Sequence, residues 1–181
     1  YATGTRAQEV CDLTVKSVKF QITGTTIDIV GKGSKARRIR IPDTCASMLK
    51  KYIKHRRIET EPDRHIFSSQ THEHMQYHAW KKYTKKYIKL AKEKTPNLFK
   101  EEHYSPHSMR HTTGQHMLEA GVPIMVIKAF LGHASVQTTQ IYTESPQSTV
   151  DKHIREWNEM NFPRSIYIDE KTWKKEMFLI F

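Results

Sequence analysis

The chain has 181 residues, a length that suits one domain with a hydrophobic core. Its composition, 37% hydrophobic and 27% charged, excludes a disordered chain, and no apolar run approaches the roughly 20 residues that span a bilayer. With 30 Lys and Arg against 19 Asp and Glu, the formal charge of +11 favours a polyanionic partner, nucleic acid first and an anionic membrane surface second, over a lysine-rich surface that only aids solubility.

The N-terminal part of the sequence predicts a short helix followed by a small antiparallel sheet. Residues 6–13 have the apolar spacing of a helix. After them, three β-rich segments alternate apolar and polar residues between turn signals, which predicts a three-stranded meander. Lys32 lies between Gly31 and Gly33, at or near the second hairpin. The expected strands are residues 15–22, 25–31 and 36–42.

The cysteines indicate the cellular compartment, and the first residue indicates whether the protein extends upstream. Cys11 and Cys45 have no metal-binding spacing, which favours reduced thiols and a cytosolic location. The first residues do not form a secretory signal peptide. Because Tyr1 resembles the middle of a helix rather than a natural beginning, we expect further residues upstream of it.

Two long helices are predicted in the middle of the chain. Pro42 and Asp43 begin one that reaches about Arg57, and the other occupies residues 73–94. The side chains expected to be buried are Met48, Leu49, Tyr52 and Ile53 in the first helix and Met75, Tyr83, Tyr87 and Leu90 in the second. The second helix also carries a lysine-rich face, either simply solvated or suited to following a nucleic-acid backbone, formed by Lys81, Lys82, Lys85, Lys86, Lys89 and Lys92.

Proline, serine and glycine mark the helices of the C-terminal half. Ser105 and Pro106 begin a helix that stops at Gly121, and Pro123 begins another that ends at Gly132. The apolar stripe of this second helix consists of Ile124, Ile127, Phe130 and Leu131.

The end of the sequence predicts two further helices and a tail. Ser135 can cap a short helix that carries Tyr142, and Pro146 ends it. Residues 148–160 have the pattern of an amphipathic helix, and residues 164–181 form a polar tail that ends in MFLIF. All these elements together predict an α+β fold, mostly helical with a small three-stranded antiparallel sheet.

Six widely spaced polar residues suit the chemistry of one phosphodiester. Arginine binds phosphate oxygens in a bidentate way, so two arginines can neutralise the charge that grows on a pentacoordinate phosphorus. A tyrosine can attack the phosphorus, a histidine can act as base or hydrogen-bond donor, and a lysine can protonate the departing 5′-oxygen. The six residues are Arg6, Lys32, His107, Arg110, His133 and Tyr142.

Each residue of this set also has an ordinary structural interpretation. A single arginine is usually a surface ion pair, and Tyr142 by itself would be a half-buried helix aromatic. Lys32 would be a hairpin lysine, with Lys35 as a rival for its chemical role. The ordered combination, rather than any one member, therefore carries the prediction.

The helix that begins near residue 105 carries two of the six residues one turn apart. His107 precedes Arg110 by one turn, so we expect both side chains on one face, near a helix N-terminus whose dipole attracts anions. His107 is the candidate base for Tyr142, because a free tyrosine has a pKa of about 10 and needs activation. Glu9 lies one turn after Arg6, and we expect it to orient that arginine.

Four stretches of the sequence resemble the catalytic domain of the tyrosine recombinases, which include phage-type integrases and enzymes that resolve chromosome dimers. The resemblance spans roughly residues 1–145, and the LGH stretch with a tyrosine nine residues after its histidine is a specific signal. The stretches are YATGTRAQEV around Arg6, IVGKGSKARRIRIP around Lys32, YSPHSMRHTTGQHMLEAG around His107 and Arg110, and LGHASVQTTQIYT from His133 to Tyr142.

The resemblance implies a site-specific DNA recombinase that serves the integration and excision of a mobile element. In such enzymes a tyrosine cleaves one strand of double-stranded DNA, leaving a 3′-phosphotyrosyl bond and a free 5′-hydroxyl, without a metal or other cofactor. The six residues would be the active-site positions. The expected assembly is a homotetramer on two DNA sites, with a monomer as the alternative for this chain alone, in the cytoplasm beside the bacterial nucleoid.

The resemblance also predicts the domain organisation. Residues 1–163 would form the catalytic domain, and residues 164–181 would be a tail that is exchanged between protomers or packs on its own domain. Family members carry an N-terminal core-binding domain that this sequence does not include. We therefore expect weak DNA binding that depends strongly on salt.

Three alternatives remain open. His107 and His111 have the spacing of a zinc-binding helix, although Ser108 stands where a metalloprotease has its glutamate and Arg110 lies beside the ligands. The helices around Gly121 resemble a helix-turn-helix, which would suit a DNA-binding protein without catalysis. A type IB topoisomerase would use the same cleavage step.

Overall fold

The structure, a computed structural model, describes residues 1–31, 36–69, 71–95, 104–132 and 147–162. Within these ranges, α-helices accompany one three-stranded antiparallel sheet, so the predicted α+β class is confirmed. The elements are α1 (Ala7–Cys11), β1 (Val18–Lys19), β2 (Thr26–Val30), β3 (Ala36–Arg40), α2 (Asp43–Arg56), α3 (Tyr77–Lys94), α4 (Pro106–Glu119), α5 (Ile124–Leu131) and α6 (Gln147–Asn161).

The sheet has the order β1-β2-β3 and follows the alternation of its sequence. Ile27 lies opposite Ile39 in the register, and both side chains are buried. Asp28 lies opposite Arg38 on the other face. The predicted first strand is shorter than expected, because residues 15–17 form a turn of 3₁₀-helix before β1.

The same alternation puts an arginine on the buried face of the sheet. Arg37 lies opposite the buried Ile29 in the register of β2 and β3. Because side chains alternate between faces along a strand, Arg37 shares its face with Ile39. Arg37 can therefore reach the helices that pack on this face of the sheet.

The start of α4 forms as its sequence predicts. The backbone N–H of Ser108 donates to the Oγ of Ser105 at 3.1 Å, and the backbone N–H of Ser105 donates to the Oγ of Ser108 at 2.8 Å. Pro106 occupies the first turn, where a missing N–H costs no helical hydrogen bond. The predicted helix end at Gly121 is also confirmed, since this glycine follows α4 with a φ of 77°.

The predicted pattern of α3 was wrong in two respects. The helix begins at Tyr77 rather than at residue 73, and Met75 is buried in the segment before it. Its buried side is formed by Trp80, Thr84 and Ile88, which are spaced four residues apart. Of the three residues expected on that side, Tyr83 and Tyr87 are only half-buried and Leu90 is exposed.

Smaller corrections concern three single residues. Tyr1 lies in a turn rather than in a helix, since its carbonyl accepts the N–H of Gly4 at 3.1 Å. Tyr52 is half-buried in α2, and Ile124 is exposed at the start of α5. The other side chains predicted to be buried in α2 and α5 are buried, namely Met48, Leu49, Ile53, Ile127, Phe130 and Leu131.

The core extends from the sheet to the last described helix. Trp157 and Ile154 of α6 are almost fully buried, and α6 packs against α5 and β3. The predicted amphipathic helix at residues 148–160 is thus confirmed. No helix in the described ranges is long and apolar enough to cross a membrane. The predicted helix that carries Tyr142 and the tail at residues 164–181 lie outside those ranges.

Candidate active site

The site begins with an arginine at the start of α1. The backbone N–H of Arg6 donates to the Oε2 of Glu9 at 2.8 Å, and its Nη1 donates to Oε1 at 2.9 Å. The side chain of Glu9 is only 6% exposed, whereas that of Arg6 is 40% exposed. Glu9 therefore orients Arg6, as its position one turn later predicts, and leaves the arginine accessible to a ligand.

A second arginine holds the same carboxylate from the sheet. The Nη1 and Nη2 of Arg37 donate to Glu9 Oε1 at 3.1 Å and to Oε2 at 2.7 Å. Its Nε donates to the carbonyl of Phe130 at 3.1 Å. Sequence reasoning missed this residue. The signal in the sequence was the alternation of β3, which puts Arg37 inward, where a charged side chain needs a partner.

A third arginine reaches this cluster from α4. Arg110 is only 4% exposed, and its Nη1 donates at 2.6 Å to the carbonyl of Gly4, two residues before Arg6. Its Nη2 donates to the carbonyl of Leu131 at 2.5 Å. Burial, and then the charges of Arg6 and Arg37, lower the pKa of Arg110 to about 10, so it stays protonated at neutral pH. The structure thus brings Arg6 and Arg110 together.

The carbonyls at the C-terminal end of α5 all have hydrogen-bond donors. The last four carbonyls of a helix lack partners within it, so each needs another donor. Two of them accept the N–H of Gly132, at 2.9 and 3.1 Å, and two accept arginine side chains. The pairs are Lys128 and Ala129 with Gly132, Phe130 with Arg37, and Leu131 with Arg110.

The glycine of the LGH stretch is required at this helix end. Gly132 has a φ of 66°, which favours glycine, and a Cβ there would lie 2.9 Å from the Cδ of Arg37. A side chain would therefore push Arg37 away from the helix end. The next residue, His133, lies outside the described ranges.

The predicted histidine of α4 is at the surface. His107 is exposed, and its Nε2 lies 3.0 Å from the Nε2 of His111. The prediction that His107 and Arg110 share one face is only partly right, because Arg110 turns inward towards Gly4. Since the two ring nitrogens are in hydrogen-bond contact, one histidine can hold a proton that the other accepts.

Three of the six predicted residues lie outside the described ranges: Lys32, His133 and Tyr142. In sequence, Lys32 precedes β3, the strand that carries Arg37, and His133 follows Gly132 directly. The described cluster is therefore adjacent in sequence to two of the three.

The histidines and cysteines of the described ranges offer no metal centre. No group of three or more His, Cys, Asp or Glu side chains in those ranges could hold a metal ion. Cys11 and Cys45 are buried free thiols, and burial raises the pKa of each to about 12. The described residues thus give no support to the metal-dependent hydrolase.

Comparison with known proteins places this chain in a family. A model of the phage integrase family matches residues 1–148, which include the whole arginine cluster. The chain belongs to the phage integrase family. Residues 149–161, beyond that match, complete α6, which packs into the same core.

Similar curated proteins are tyrosine recombinases. Tyrosine recombinase XerA of Pyrococcus furiosus is 33% identical over 159 residues, which cover 86% of this chain and 50% of that protein. A tyrosine recombinase of Agathobacter rectalis is 34% identical over 161 residues, with coverage of 86% and 50%. The chain spans about half the length of the curated relatives it matches.

Solved structures show the same fold. A crystal structure of XerA recombinase superimposes with a TM-score of 0.59 at 27% identity, covering 90% of this chain and 55% of that one. The site-specific recombinase XerH, bound to its difH substrate in a pre-cleavage complex, superimposes with a TM-score of 0.63 at 24% identity. That match covers 86% of this chain and 44% of XerH, and supports the fold alone.

Proposed function

We propose that this chain is the catalytic part of a site-specific DNA recombinase that cleaves and rejoins strands through a 3′-phosphotyrosyl intermediate. The observation that carries the proposal is the hydrogen bond from Arg110 of α4 to the carbonyl of Gly4, which puts Arg110 beside the segment that carries Arg6, in a chain that belongs to the phage integrase family. Two arginines at one place suit the charge of a phosphodiester under attack.

The charge balance of the cluster favours an anion. The cluster has three guanidinium groups and one carboxylate: Arg6 and Arg37 bind Glu9, and Arg110 binds the backbone carbonyls of Gly4 and Leu131. Arg37 and Arg110 are bound to backbone carbonyls, which fixes them before a ligand arrives. Such preorganised donors stabilise a transition state more than a mobile surface charge does.

The proposed reaction is a phosphoryl transfer to the phenol of Tyr142. The phenolate oxygen attacks the phosphorus, and the electron pair of the bond to the 5′-oxygen leaves with that oxygen. Lys32 protonates the 5′-oxygen, which gives the free 5′-hydroxyl. Attack of a 5′-hydroxyl on the phosphotyrosyl bond reverses the step, so rejoining needs no external energy source.

The remaining roles are part of the same proposal. His107 accepts the phenolic proton, and its contact with His111 at 3.0 Å gives that proton a second site. Arg110 holds the phosphate oxygens with donors beyond the two that bind backbone carbonyls, since an arginine carries five N–H groups. His133 donates a hydrogen bond to the phosphate.

The lysine face of α3 is the proposed contact with the DNA backbone. Lys81, Lys82, Lys85, Lys86 and Lys89 are exposed on it. The opposite side of the helix borders the site, because Trp80 and Thr84 line a small internal cavity together with Arg110. DNA that follows these lysines would therefore lie across the width of α3 from the arginine cluster, so the lysines would contribute affinity and not contacts with the reacting phosphate.

The domain organisation and the biological role belong to the same proposal. Residues 1–163 form the catalytic domain, and residues 164–181 form a tail that protomers exchange. Four protomers act on two double-stranded DNA sites, and the reaction serves the integration and excision of a mobile element. The full burial of Trp157 in α6 supports a catalytic domain that extends past the family match.

The decisive test is covalent attachment to DNA. The chain is incubated with a pool of nicked, end-labelled duplexes, and adducts that survive detergent are separated on a gel. We expect an adduct with the 3′-phosphate from the unaltered chain, and binding without an adduct from Tyr142→Phe, because only the attacking oxygen is removed. Tyr87→Phe on α3 is the matched control and should keep the adduct. An adduct that persists in Tyr142→Phe would refute the proposal.

A further inference from the structure

Arg37 joins three separate elements at one point. It lies on β3, holds the carboxylate of Glu9 in α1 through two hydrogen bonds, and donates a third to the carbonyl of Phe130 near the end of α5. Its side chain is only 12% exposed. The partners of Arg37 therefore belong to the protein and not to solvent.

We infer that Arg37 is a positioning residue of the strand-transfer site, because it fixes the Glu9 carboxylate, and through it Arg6, relative to the end of α5. The inference rests on the proposed function for what the site does. Arg6 is the accessible arginine of the cluster, and the end of α5 leads directly to His133 in the sequence. Arg37 thus ties α1 and the end of α5 to one strand of the sheet.

The contacts of Arg37 need arginine rather than any cation. The planar guanidinium presents two parallel N–H groups to a carboxylate and still offers Nε in another direction. A lysine has one nitrogen, which cannot bind both oxygens of Glu9 and also reach Phe130. Gly132 provides the space for the arginine, since a Cβ there would collide with its side chain.

The neighbouring arginine of β3 provides a natural comparison. Arg38 points to the other face of the sheet, is 56% exposed and donates to Asp28, its partner across the strands, through Nε at 2.6 Å. Both arginines thus form a bidentate pair with a carboxylate from another element. They differ in burial and in closeness to Arg6 and Arg110.

The ionisation of Glu9 agrees with this role. Burial by itself would raise its pKa, but hydrogen bonds from Arg37 and Arg6 and the charge of Arg37 hold the pKa below its ordinary value. The charge of Glu9 in turn favours the protonated form of Arg110, on α4. The carboxylate therefore stays charged and keeps its hold on Arg6 at neutral pH.

The first test measures adduct formation in a single turnover at saturating nicked duplex. Arg37→Lys should slow the adduct step by about 10- to 100-fold with little change in DNA affinity, because a small misplacement of Arg6 acts on the transition state. The matched control Arg38→Lys should stay within about a factor of two of the unaltered chain, as expected for an exposed pair. Equal slowing in both variants, or no slowing in Arg37→Lys, would overturn the inference.

A second arm asks whether Arg37 acts through Glu9. Glu9→Gln keeps the shape of the side chain and removes its charge. If Arg37 acts through Glu9, the double variant should be slowed by much less than the product of the two single effects. Effects that multiply fully would show that Arg37 acts elsewhere and would overturn the inference.

A third arm does not depend on cleavage. Nuclear magnetic resonance of the folded chain follows the titration of the Glu9 carboxyl and the solvent exchange of the Arg6 guanidinium protons. In Arg37→Lys we expect Glu9 to titrate at higher pH and the Arg6 protons to exchange faster, with no change in Arg38→Lys. Unchanged values in Arg37→Lys would refute the positioning role. Absence of any adduct from the unaltered chain would instead refute the proposed function.

Discussion

Two basic regions of this protein carry similar side chains in opposite surroundings. The arginine cluster, formed by Arg6, Arg37 and Arg110 around Glu9, is largely buried and held by a carboxylate and by backbone carbonyls. Five of the six lysines of the α3 face are exposed to solvent. Hydrogen bonds within the fold fix the side chains of the first region, whereas those of the second extend from a helix into solvent.

Because of these surroundings, the two regions contribute to different steps of the reaction. A buried, hydrogen-bonded guanidinium has a fixed direction and acts in a less polar medium, so it can discriminate a transition state from bound DNA. Exposed ammonium groups are screened by salt and act through the release of counterions. They therefore contribute to DNA affinity but do not position the reacting phosphate. Variants in the two regions should therefore alter different measurements.

The largest effect is expected from the cluster. Arg110→Ala removes the buried guanidinium, and we expect the rate of adduct formation to fall by about 10²- to 10³-fold, as for other preorganised donors. DNA affinity, measured by fluorescence anisotropy, should change far less. A similar loss in both measurements would reduce Arg110 to a residue that only binds DNA.

Arg110→Ala should also destabilise the fold, so its control must separate lost stability from lost catalysis. The carbonyls of Gly4 and Leu131 lose their donor in Arg110→Ala, which should lower the free energy of unfolding by about 1–3 kcal/mol. Arg110→Lys keeps the charge and serves as the matched variant. Circular dichroism must show that both variants are folded at the assay temperature.

A smaller effect is expected from the lysine face. Replacement of Lys81, Lys85 and Lys89 by glutamine should weaken DNA binding and leave the adduct rate at saturating DNA nearly unchanged. The plot of log affinity against log salt should become shallower by roughly 0.9 for each phosphate that the variant no longer neutralises. Anisotropy titrations at several salt concentrations measure this slope.

The control for that experiment lies on α2. Lys50, Lys51 and Lys54 are also exposed, so their replacement by glutamine removes the same charge from another surface. We expect a smaller change of slope than for the α3 variant. Equal slopes in the two triple variants would mean that only net charge matters, and the lysine face would lose its proposed role.

The smallest effect is expected from the exposed ion pair of the sheet. The hydrogen bond from Arg38 holds the pKa of Asp28 below its ordinary value, so the pair stabilises the fold above the unfolded pKa of about 4 and loses this effect as pH falls through the folded pKa. Asp28→Asn should therefore shift the thermal midpoint slightly at pH 7 and not at all in strong acid. A shift as large as that of Glu9→Gln would contradict the contrast between the two faces of the sheet.

The sequence predicted local structure well where the signals are local. Ser105 and Pro106 indicated the start of α4, and Gly121 and Gly132 indicated two helix ends, because caps and positive φ depend on neighbouring residues alone. The pattern of α3 was wrong at Tyr83, Tyr87 and Leu90, because several spacings of apolar residues fit one helix. Only tertiary packing, against α1 and against Phe67, selects the buried side formed by Trp80, Thr84 and Ile88.

By itself, the sequence determined the α+β class, the three strands, the family of the chain and the pairing of Arg6 with Glu9 one turn later. The partners of the inward-facing Arg37 and of Arg110, namely the Glu9 carboxylate and the carbonyls of Gly4 and Leu131, came from the packed structure alone. The reason is physical. Backbone preferences act between near neighbours in the chain, whereas a buried charge is placed by whichever distant partners the packed core brings to it.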